Sequence, residues 1–273
     1  MSKVALFAAL LAAVASPALA GPAKPAPASA SARPAAAPAA KPMPPQKASP
    51  EQKAEAERLD PLARAAFWAR EVDIDPRDTE AELKLAKALR ALGRFQEASD
   101  AADKVLVLEP TNFEALLESA RARIGQGHGF YAIDPAERAQ AINPRDWRPV
   151  TLLAIALEQS DRDAEALPNY EKAISLAPNN PATLSNLGLY YAGHGRTADG
   201  EALLRKAVAA PGSTPQERQN LALVLGLQGR YDEAERLERQ DLPPDVVDNN
   251  LAYLRADGGA PQPRTWQSLK SPQ

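Results

Sequence analysis

Four prolines at a constant spacing of 34 residues constrain the fold of this chain more than any other feature. They are Pro76, Pro110, Pro144 and Pro178. The chain has 26 prolines in 273 residues, so three further prolines at preset positions would occur by chance about once in a thousand trials. A period of this length indicates a repeat array in which each unit packs on its neighbours.

Other positions keep the same register. When position one of each unit is Thr79, Phe113, Trp147, Pro181 and Pro215, positions eight and twenty hold alanine or glycine in every unit. Positions seven and eleven hold a large apolar residue in four units of five. Apolar residues three and four apart mark the inner stripe of a helix, and small residues let two helices approach closely. Each unit is therefore predicted to be a pair of helices joined by a turn.

Turn and cap residues mark where these helices begin and end. A glycine near position fifteen is expected to end the first helix in four units, and the recurring proline to end the second. Asn180 before Pro181 is an N-cap pattern, and Thr214 with Glu217 forms a capping box. The four turn glycines are Gly93, Gly127, Gly195 and Gly229.

This register resembles the tetratricopeptide repeat (TPR), which also has 34 residues, small residues at positions eight and twenty and a proline at position thirty-two. The clearest copy runs from Thr79 to Asn112. The resemblance implies an all-α solenoid of stacked helix–turn–helix repeats, whose concave surface binds other proteins. We expect a leading helix or partial repeat at 51–78, repeats at about 79–112, 113–146, 147–180, 181–214 and 215–241, and a capping helix at 245–256.

The two ends of the chain differ in composition from the repeats. Residues 1–20 are predicted to be a cleavable signal peptide, because an apolar run follows Lys3 and ends in small residues; an uncleaved anchor is the alternative. Residues 21–50 are nearly all Ala, Pro, Ser and Lys, which predicts a disordered linker, either a tether or a plain leader. Residues 257–273 are predicted to be a disordered tail, in which Trp266 is either a docking motif or part of a frayed end.

The second unit departs from its neighbours. Residues 125–135 contain three alternate glycines and end in Pro135. We expect this composition to prevent an ordinary second helix, leaving a shortened one that begins at Pro135 with Asp134 as its cap. The rings of Phe130 and Tyr131 either fill the core, which we favour, or face a partner from a bent loop. A nucleotide-binding loop is rejected because such loops follow a strand.

Composition excludes several kinds of chemistry. The chain has no cysteine, which removes disulfides, thiolate nucleophiles and an acylated cysteine anchor. Its two histidines, His128 and His194, stand beside glycines without metal-ligand spacing, and no catalytic motif is present. Residues 1–50 hold five basic residues and no acidic one, so the rest has 27 basic and 35 acidic residues and a net charge of −8. We therefore expect no enzyme, cofactor, metal or nucleic-acid partner.

By analogy with the repeat family, the ligand groove is lined by residues of the first helix in each unit. Basic residues gather at the N-terminal end of this surface, whereas amides and aliphatic residues line the C-terminal half, so an apolar peptide or helix is the expected ligand. An ordinary solvated or packing role is the alternative for each residue. The candidate groove residues are Leu83, Lys87, Arg90, Leu117, Arg121, Ile124, Thr151, Ile155, Ser185, Asn186, Leu189, Gln219, Asn220 and Leu223.

Two segments, Glu118–Trp147 and Arg218–Ala256, resemble the TadD family, the repeat proteins of tight-adherence (Flp-type) pilus assembly. This resemblance implies a non-catalytic, protein-binding scaffold of the cell envelope that supports the pilus or its outer-membrane secretin. Many members are lipoproteins, but this chain offers no cysteine for a direct lipid anchor, so a periplasmic form reaching the outer membrane through a partner is expected. A general periplasmic adaptor or chaperone is the alternative, and a fragment of a murein-cleaving enzyme a weaker one. The oligomeric state stays open.

Overall fold

The computed structural model describes residues 46–257, and within this range the chain forms thirteen helices and no strand. The predicted all-α solenoid is confirmed. In chain order the helices are α1 Pro50–Ala56, α2 Pro61–Ile74, α3 Thr79–Ala91, α4 Phe95–Leu108, α5 Phe113–Gly125, α6 Gly129–Ile142, α7 Trp147–Gln159, α8 Asp163–Leu176, α9 Pro181–Gly193, α10 Thr197–Ala209, α11 Pro215–Leu227, α12 Tyr231–Glu238 and α13 Pro244–Asp257.

The 34-residue period sets the helix starts in all five repeats. The first helices of the repeats, here called A helices, are α3, α5, α7, α9 and α11, and each begins at position one of its unit. The second helices, here called B helices, are α4, α6, α8, α10 and α12, and also begin 34 residues apart. Helix α2 begins 34 residues before α4 and packs on α3, so it is the B helix of a leading partial unit.

Each A helix begins behind a polar cap and ends in a left-handed turn. The cap side chains accept hydrogen bonds from backbone N–H groups that would otherwise lack partners. The turns have positive φ angles, which glycine adopts without the steric cost of a Cβ atom; Asp161, with φ of 57°, replaces glycine in the third repeat. The caps are Asp78, Asn112, Asp146, Asn180 and Thr214, and the glycine turns are Gly93, Gly127, Gly195 and Gly229.

The helices stack so that the A helices form an inner wall. Each helix of the solenoid contacts the next one in the chain, and each A helix also contacts the A helix of the following repeat. The described B helices make no comparable contact with each other. Since the A helices lie closer together than the B helices, the stack curves with the A helices inside.

A continuous core joins the repeats, and the predicted C-terminal cap completes it. The small residues at positions eight and twenty are buried in all five repeats, where the helices of each pair cross. In the last layer, Val247 and Leu251 of α13 pack against Leu221 and Leu225 of α11. Helix α13 thus covers the apolar face that the fifth repeat would otherwise expose.

The expectation of a shortened helix in the second repeat is wrong. Helix α6 runs from Gly129 to Ile142 and contains Pro135. Proline removes one intrahelical hydrogen bond, but the buried residues Ala132, Ala136 and Ala139 hold the helix between α5 and α7. Tertiary packing therefore overrides the local preference.

Each of the three glycines in this segment is needed for a structural reason of its own. A Cβ atom on Gly125 would lie 2.6 Å from the ring of Phe95, and one on Gly129 would lie 2.6 Å from the carbonyl oxygen of Ala156. Gly127 supplies the positive φ of the turn, at 75°. The glycine alternation therefore reflects two close helix contacts and one turn.

Several predictions concern residues outside 46–257: the signal peptide at 1–20, most of the linker and Trp266 in the tail. The linker boundary at residue 50 needs correction. Ser49 already caps α1, and Lys47 donates a hydrogen bond of 2.6 Å to Asp75, so residues 46–50 pack on the leading unit.

Candidate protein-binding groove

The structure places the fourteen candidate groove residues on the A helices, but at two different depths. Ten of them are half-buried and contribute to the inner wall. The other four are buried in the packing between helices, so the register taken from the repeat family, which assigned them to the surface, is wrong for them. These four are Leu117, Thr151, Ser185 and Asn220.

Ionic contacts organise the N-terminal half of the wall. The carboxylate of Glu118 on α5 has no exposed surface, and it accepts hydrogen bonds from the guanidiniums of Arg90 on α3 and Arg121 on α5. Burial lowers the pKa of Arg121, an effect that the charge of Glu118 opposes. The two guanidiniums thus stand side by side on the wall because a buried carboxylate lies behind them.

A second ionic cluster lies one helical turn earlier on α5. Glu114 lies 3.6 Å from the Nζ of Lys87 and 2.9 Å from a guanidinium nitrogen of Arg148. Arg148 also hydrogen-bonds Asp146, and this bond holds the pKa of Asp146 below its ordinary value. The expected basic surface is therefore a mixed one, because acidic residues stand between the cations.

A cluster of aromatic and ionisable side chains lies at the junction of the third and fourth repeats. The hydroxyl of Tyr170 on α8 donates a hydrogen bond of 2.5 Å to Glu158 on α7. Burial raises the pKa values of both groups. The ring of Tyr190 on α9 contacts Tyr170 and stacks on His194, with centroids 5.2 Å and 4.1 Å apart. The cluster joins three helices and fixes the turn after α9.

The C-terminal half of the wall carries an aliphatic strip beside the half-buried amides Asn186 and Gln219, with an amide link behind it. Ile155, Leu189 and Leu223 occupy position nine of three successive A helices, and each is half-buried. Behind this strip, the side-chain amide of Asn220 donates a hydrogen bond of 2.9 Å to the hydroxyl of Ser185. The buried amide and hydroxyl therefore hold α11 against α9, while the aliphatic residues stay at the surface.

Sequence reasoning missed the acidic members of the ionic clusters. Glu114 and Glu118 were available in the same register, at positions two and six, directly beside predicted groove residues. They are four positions apart, so they share one face of α5. Pairing each acid with the basic residues of its own helix and of the two adjacent A helices would have found both clusters.

The described residues contain no group of histidine, cysteine or acidic side chains that could hold a metal ion. A membrane-spanning helix is likewise absent from the part of the chain that the structure describes, because none of its helices is long and apolar enough.

Known repeat proteins share the fold of this chain. A tetratricopeptide-repeat family model matches residues 182–210 and 218–242. The solved structure of TTC0263, a thermophilic TPR protein of Thermus thermophilus, is 25% identical, with a TM-score of 0.59 over 65% of this chain and 99% of that one. The described chain therefore has the fold of a tetratricopeptide-repeat solenoid, and residues 182–242 contain the matching repeats. Solenoids of this fold present extended concave surfaces that bind other molecules.

Two further solved structures resemble this chain in fold. A tetratricopeptide repeat protein from Parabacteroides merdae ATCC 43184 is 15% identical, with a TM-score of 0.64 over 76% of this chain and 86% of that one. MamA from Desulfovibrio magneticus RS-1 is 21% identical, with a TM-score of 0.51 over 58% of this chain and 90% of that one. A bacterial transcriptional activator domain model also matches residues 90–177. No curated protein sequence matches the chain.

Proposed function

We propose that this TPR protein is a non-catalytic scaffold of the cell envelope, which holds a partner polypeptide on its inner wall and supports assembly of a tight-adherence pilus or its secretin. The repeat fold supports the protein-binding part. The sequence features of residues 1–20 support export to the periplasm, and the resemblance of Glu118–Trp147 and Arg218–Ala256 to TadD supports the pilus role.

The aliphatic strip of Ile155, Leu189 and Leu223 carries the binding proposal. Three successive A helices present a half-buried aliphatic side chain at the same position, and the buried amide of Asn220 is hydrogen-bonded to Ser185 behind them. An apolar helix or extended segment laid along the strip would bury these side chains and gain about 25 cal/mol for each Å² removed from water.

Substitutions on the strip test this role. The double variant Ile155→Asp/Leu189→Asp places charges where the ligand would pack, without touching a fully buried position. Leu117 is unsuitable because its side chain is completely buried, so a charge there would unfold the protein. Val107→Asp on the outer helix α4 is the matched control, since Val107 is an exposed aliphatic residue.

The expected result is that the strip variant loses co-purification of the secretin or pilus components from a periplasmic fraction, while Val107→Asp keeps it. Equal capture of these components by both variants would count against the inner wall as the binding surface. In cells, a deletion strain should lack pili, and the wild-type gene and the Val107→Asp gene should restore them. Normal piliation in the deletion strain would leave the general periplasmic adaptor as the better proposal.

A second candidate follows from the activator-domain match over residues 90–177. In this alternative, the helices α4 to α8 serve an intracellular regulatory protein as an interaction module. Cell fractionation separates the two candidates. The envelope role predicts recovery of the protein in the periplasm with residues 1–20 removed, whereas the regulatory role predicts recovery of the unprocessed chain with the cytoplasm.

A further inference from the structure

Two neighbouring aromatic side chains protrude from the start of helix α6. Phe130 is 70% exposed and Tyr131 is 65% exposed, and no other Phe, Tyr or Trp side chain among residues 46–256 is exposed. Their ring centroids lie 5.6 Å apart at an angle of 83°, and the ring of His128 lies 6.2 Å from Tyr131. Together the three rings are called the aromatic patch. It lies at the edge where A helices end and B helices begin, away from the inner wall.

Comparison with the other four repeats shows that the solenoid does not need this patch. In those repeats an arginine stands where His128 stands and an acidic residue where Tyr131 stands, and the two side chains form an ion pair across the first turn of the B helix. The pairs are Arg94–Glu97, Arg162–Glu165, Arg196–Asp199 and Arg230–Glu233. The second repeat therefore replaces a solvated ion pair by exposed rings, which no described residue covers.

We propose that the aromatic patch binds the chain's own Ala/Pro-rich segment, residues 21–45. Proline-rich segments favour the extended polyproline II conformation, and exposed aromatic rings are the surfaces that recognise it. Charge is compatible with the same pairing. The segment has Lys24, Arg33 and Lys41 but no acidic residue. Exposed Asp134 and Glu137 lie beyond Phe130 on α6, where Arg138 pairs with Asp134 at 3.3 Å.

The segment is long enough to reach the patch. It joins the described chain at Gln46, whose carbonyl oxygen accepts a hydrogen bond of 3.3 Å from Arg70, and Lys47 is tied to Asp75. This attachment lies at the opposite edge of the stack, two repeats before α6. The height of a 14-residue helix is ~21 Å at 1.5 Å per residue. Two repeat spacings of ~10 Å, taken perpendicular to the helix, then give a separation of roughly 30 Å between Gln46 and the aromatic patch.

This distance selects the part of the segment that contacts the rings. At ~3.1 Å per residue, about ten residues of polyproline II conformation span the gap. Residues 36–45 therefore bridge the distance, and residues 21–35 lie across the patch. The relevant prolines are Pro22, Pro25, Pro27 and Pro34, whereas Pro38, Pro42, Pro44 and Pro45 stay in the bridge.

Paramagnetic relaxation in the full chain tests the proposal. Because the chain has no cysteine, the substitution Ser29→Cys gives a single site for a nitroxide spin label. We expect the label to reduce the amide signals of residues near Tyr131 at least twofold in ¹⁵N-labelled protein. The same signals should recover when a peptide of residues 21–38 is added in excess, and not when its prolines are replaced by alanine.

Two sets of variants make the test specific. The triple variant His128→Arg/Phe130→Gln/Tyr131→Glu installs the residues that the first repeat uses at these positions, and it should abolish the signal loss while preserving the helical circular dichroism. On the segment side, Pro22, Pro25, Pro27 and Pro34 changed to alanine should abolish the effect without altering the folded part. Changing Pro42, Pro44 and Pro45 to alanine is the matched control and should leave it.

Three outcomes would overturn the proposal. The first is unchanged signals near Tyr131 in the labelled wild-type chain. The second is signal loss that persists in the triple variant or in the variant of the four prolines. The third is signal loss of equal size when spin-labelled ¹⁴N protein is mixed with unlabelled ¹⁵N protein, because the occupant is then a second copy. None of these outcomes bears on the inner wall, so the proposed function is tested separately.

Discussion

Replacing Glu118 by glutamine should destabilise the solenoid more than any other single loss of charge on the inner wall. The carboxylate is completely buried, and it lies between the guanidiniums of Arg90 and Arg121. Glutamine keeps nearly the same volume but removes the negative charge, so two guanidiniums are left facing each other. The substitution therefore isolates the electrostatic contribution from the packing contribution.

The expected loss of stability follows from how deeply Glu118 and its two arginine partners are buried. Removing one partner of a buried ion pair costs about 3–5 kcal/mol when the remaining charge stays buried. Here the side chains of Arg90 and Arg121 keep 36% and 26% exposure, so water can solvate part of each. We therefore expect a loss of about 2 kcal/mol in the free energy of unfolding. For roughly 210 residues this lowers Tm by about 4–5 °C.

Urea unfolding followed by circular dichroism measures the loss, and Glu114→Gln is the matched control. Glu114 lies on the same face of α5 and also pairs with two cations, but its side chain is 38% exposed, so its removal should cost less than about 1 kcal/mol. A double-mutant cycle with Arg90→Gln should give a favourable coupling energy with Glu118. The reasoning fails if Glu118→Gln costs no more than Glu114→Gln, or if the coupling energy is zero.

Three further predictions concern backbone geometry and protonation. Asp161→Gly should raise the free energy of unfolding by about 0.5 kcal/mol, because glycine adopts the φ of 57° more readily; a lower urea midpoint would contradict this. Gly129→Ala should cost about 1–3 kcal/mol, because the new Cβ would lie 2.5 Å from the Cβ of Gln159; an unchanged Tm would contradict it. Burial raises the pKa of Glu158 above 4.5. The stability of the wild-type protein relative to the Glu158→Gln variant should therefore fall as the pH rises from about 4 through the raised pKa of Glu158. A difference between the two urea midpoints that stays constant with pH would refute this.

The sequence was sufficient to predict the helix pairs because one period controls several independent local signals. The caps at Asn180 and Thr214 were both predicted, and both accept backbone hydrogen bonds in the structure. The register that identified the turn glycines also contains Asp161 at the same position. Residues with a Cβ atom rarely adopt the left-handed conformation, so the aspartate by itself does not indicate a turn of this kind. Only comparison with the other repeats predicts it.

Proline shows where local rules were insufficient. Pro135 and Pro168 both lie inside B helices, although proline normally ends or kinks a helix. Each B helix packs against the A helices before and after it, so a helix with one missing hydrogen bond can still form. The strength of that packing depends on residues far along the chain, which a local pattern does not contain.

Predicting the groove from the family register had a similar limit. Position five was expected at the surface, but Leu117, Thr151 and Ser185 are buried there. How much of that position the next A helix covers depends on the distance and angle between helices, and neither is fixed by the period. Position nine remains half-buried in all five repeats and position twelve in the first four, so they are the better places to substitute when binding is tested.

The second repeat departs most clearly from the pattern that the other repeats share. A uniform array would repeat one contact between helices, and positions seven and eleven hold large apolar residues in four repeats. In the second repeat they hold Ser119 and Arg123, which form a hydrogen-bonded network with Asp103 on α4. The same repeat also replaces the surface ion pair by the aromatic patch. The stack thus tolerates polar contacts and exposed rings within one unit, while its helix starts keep the period. The exposed positions of the second repeat, such as Phe130 and Tyr131, are therefore places where substitutions can change binding without changing the fold.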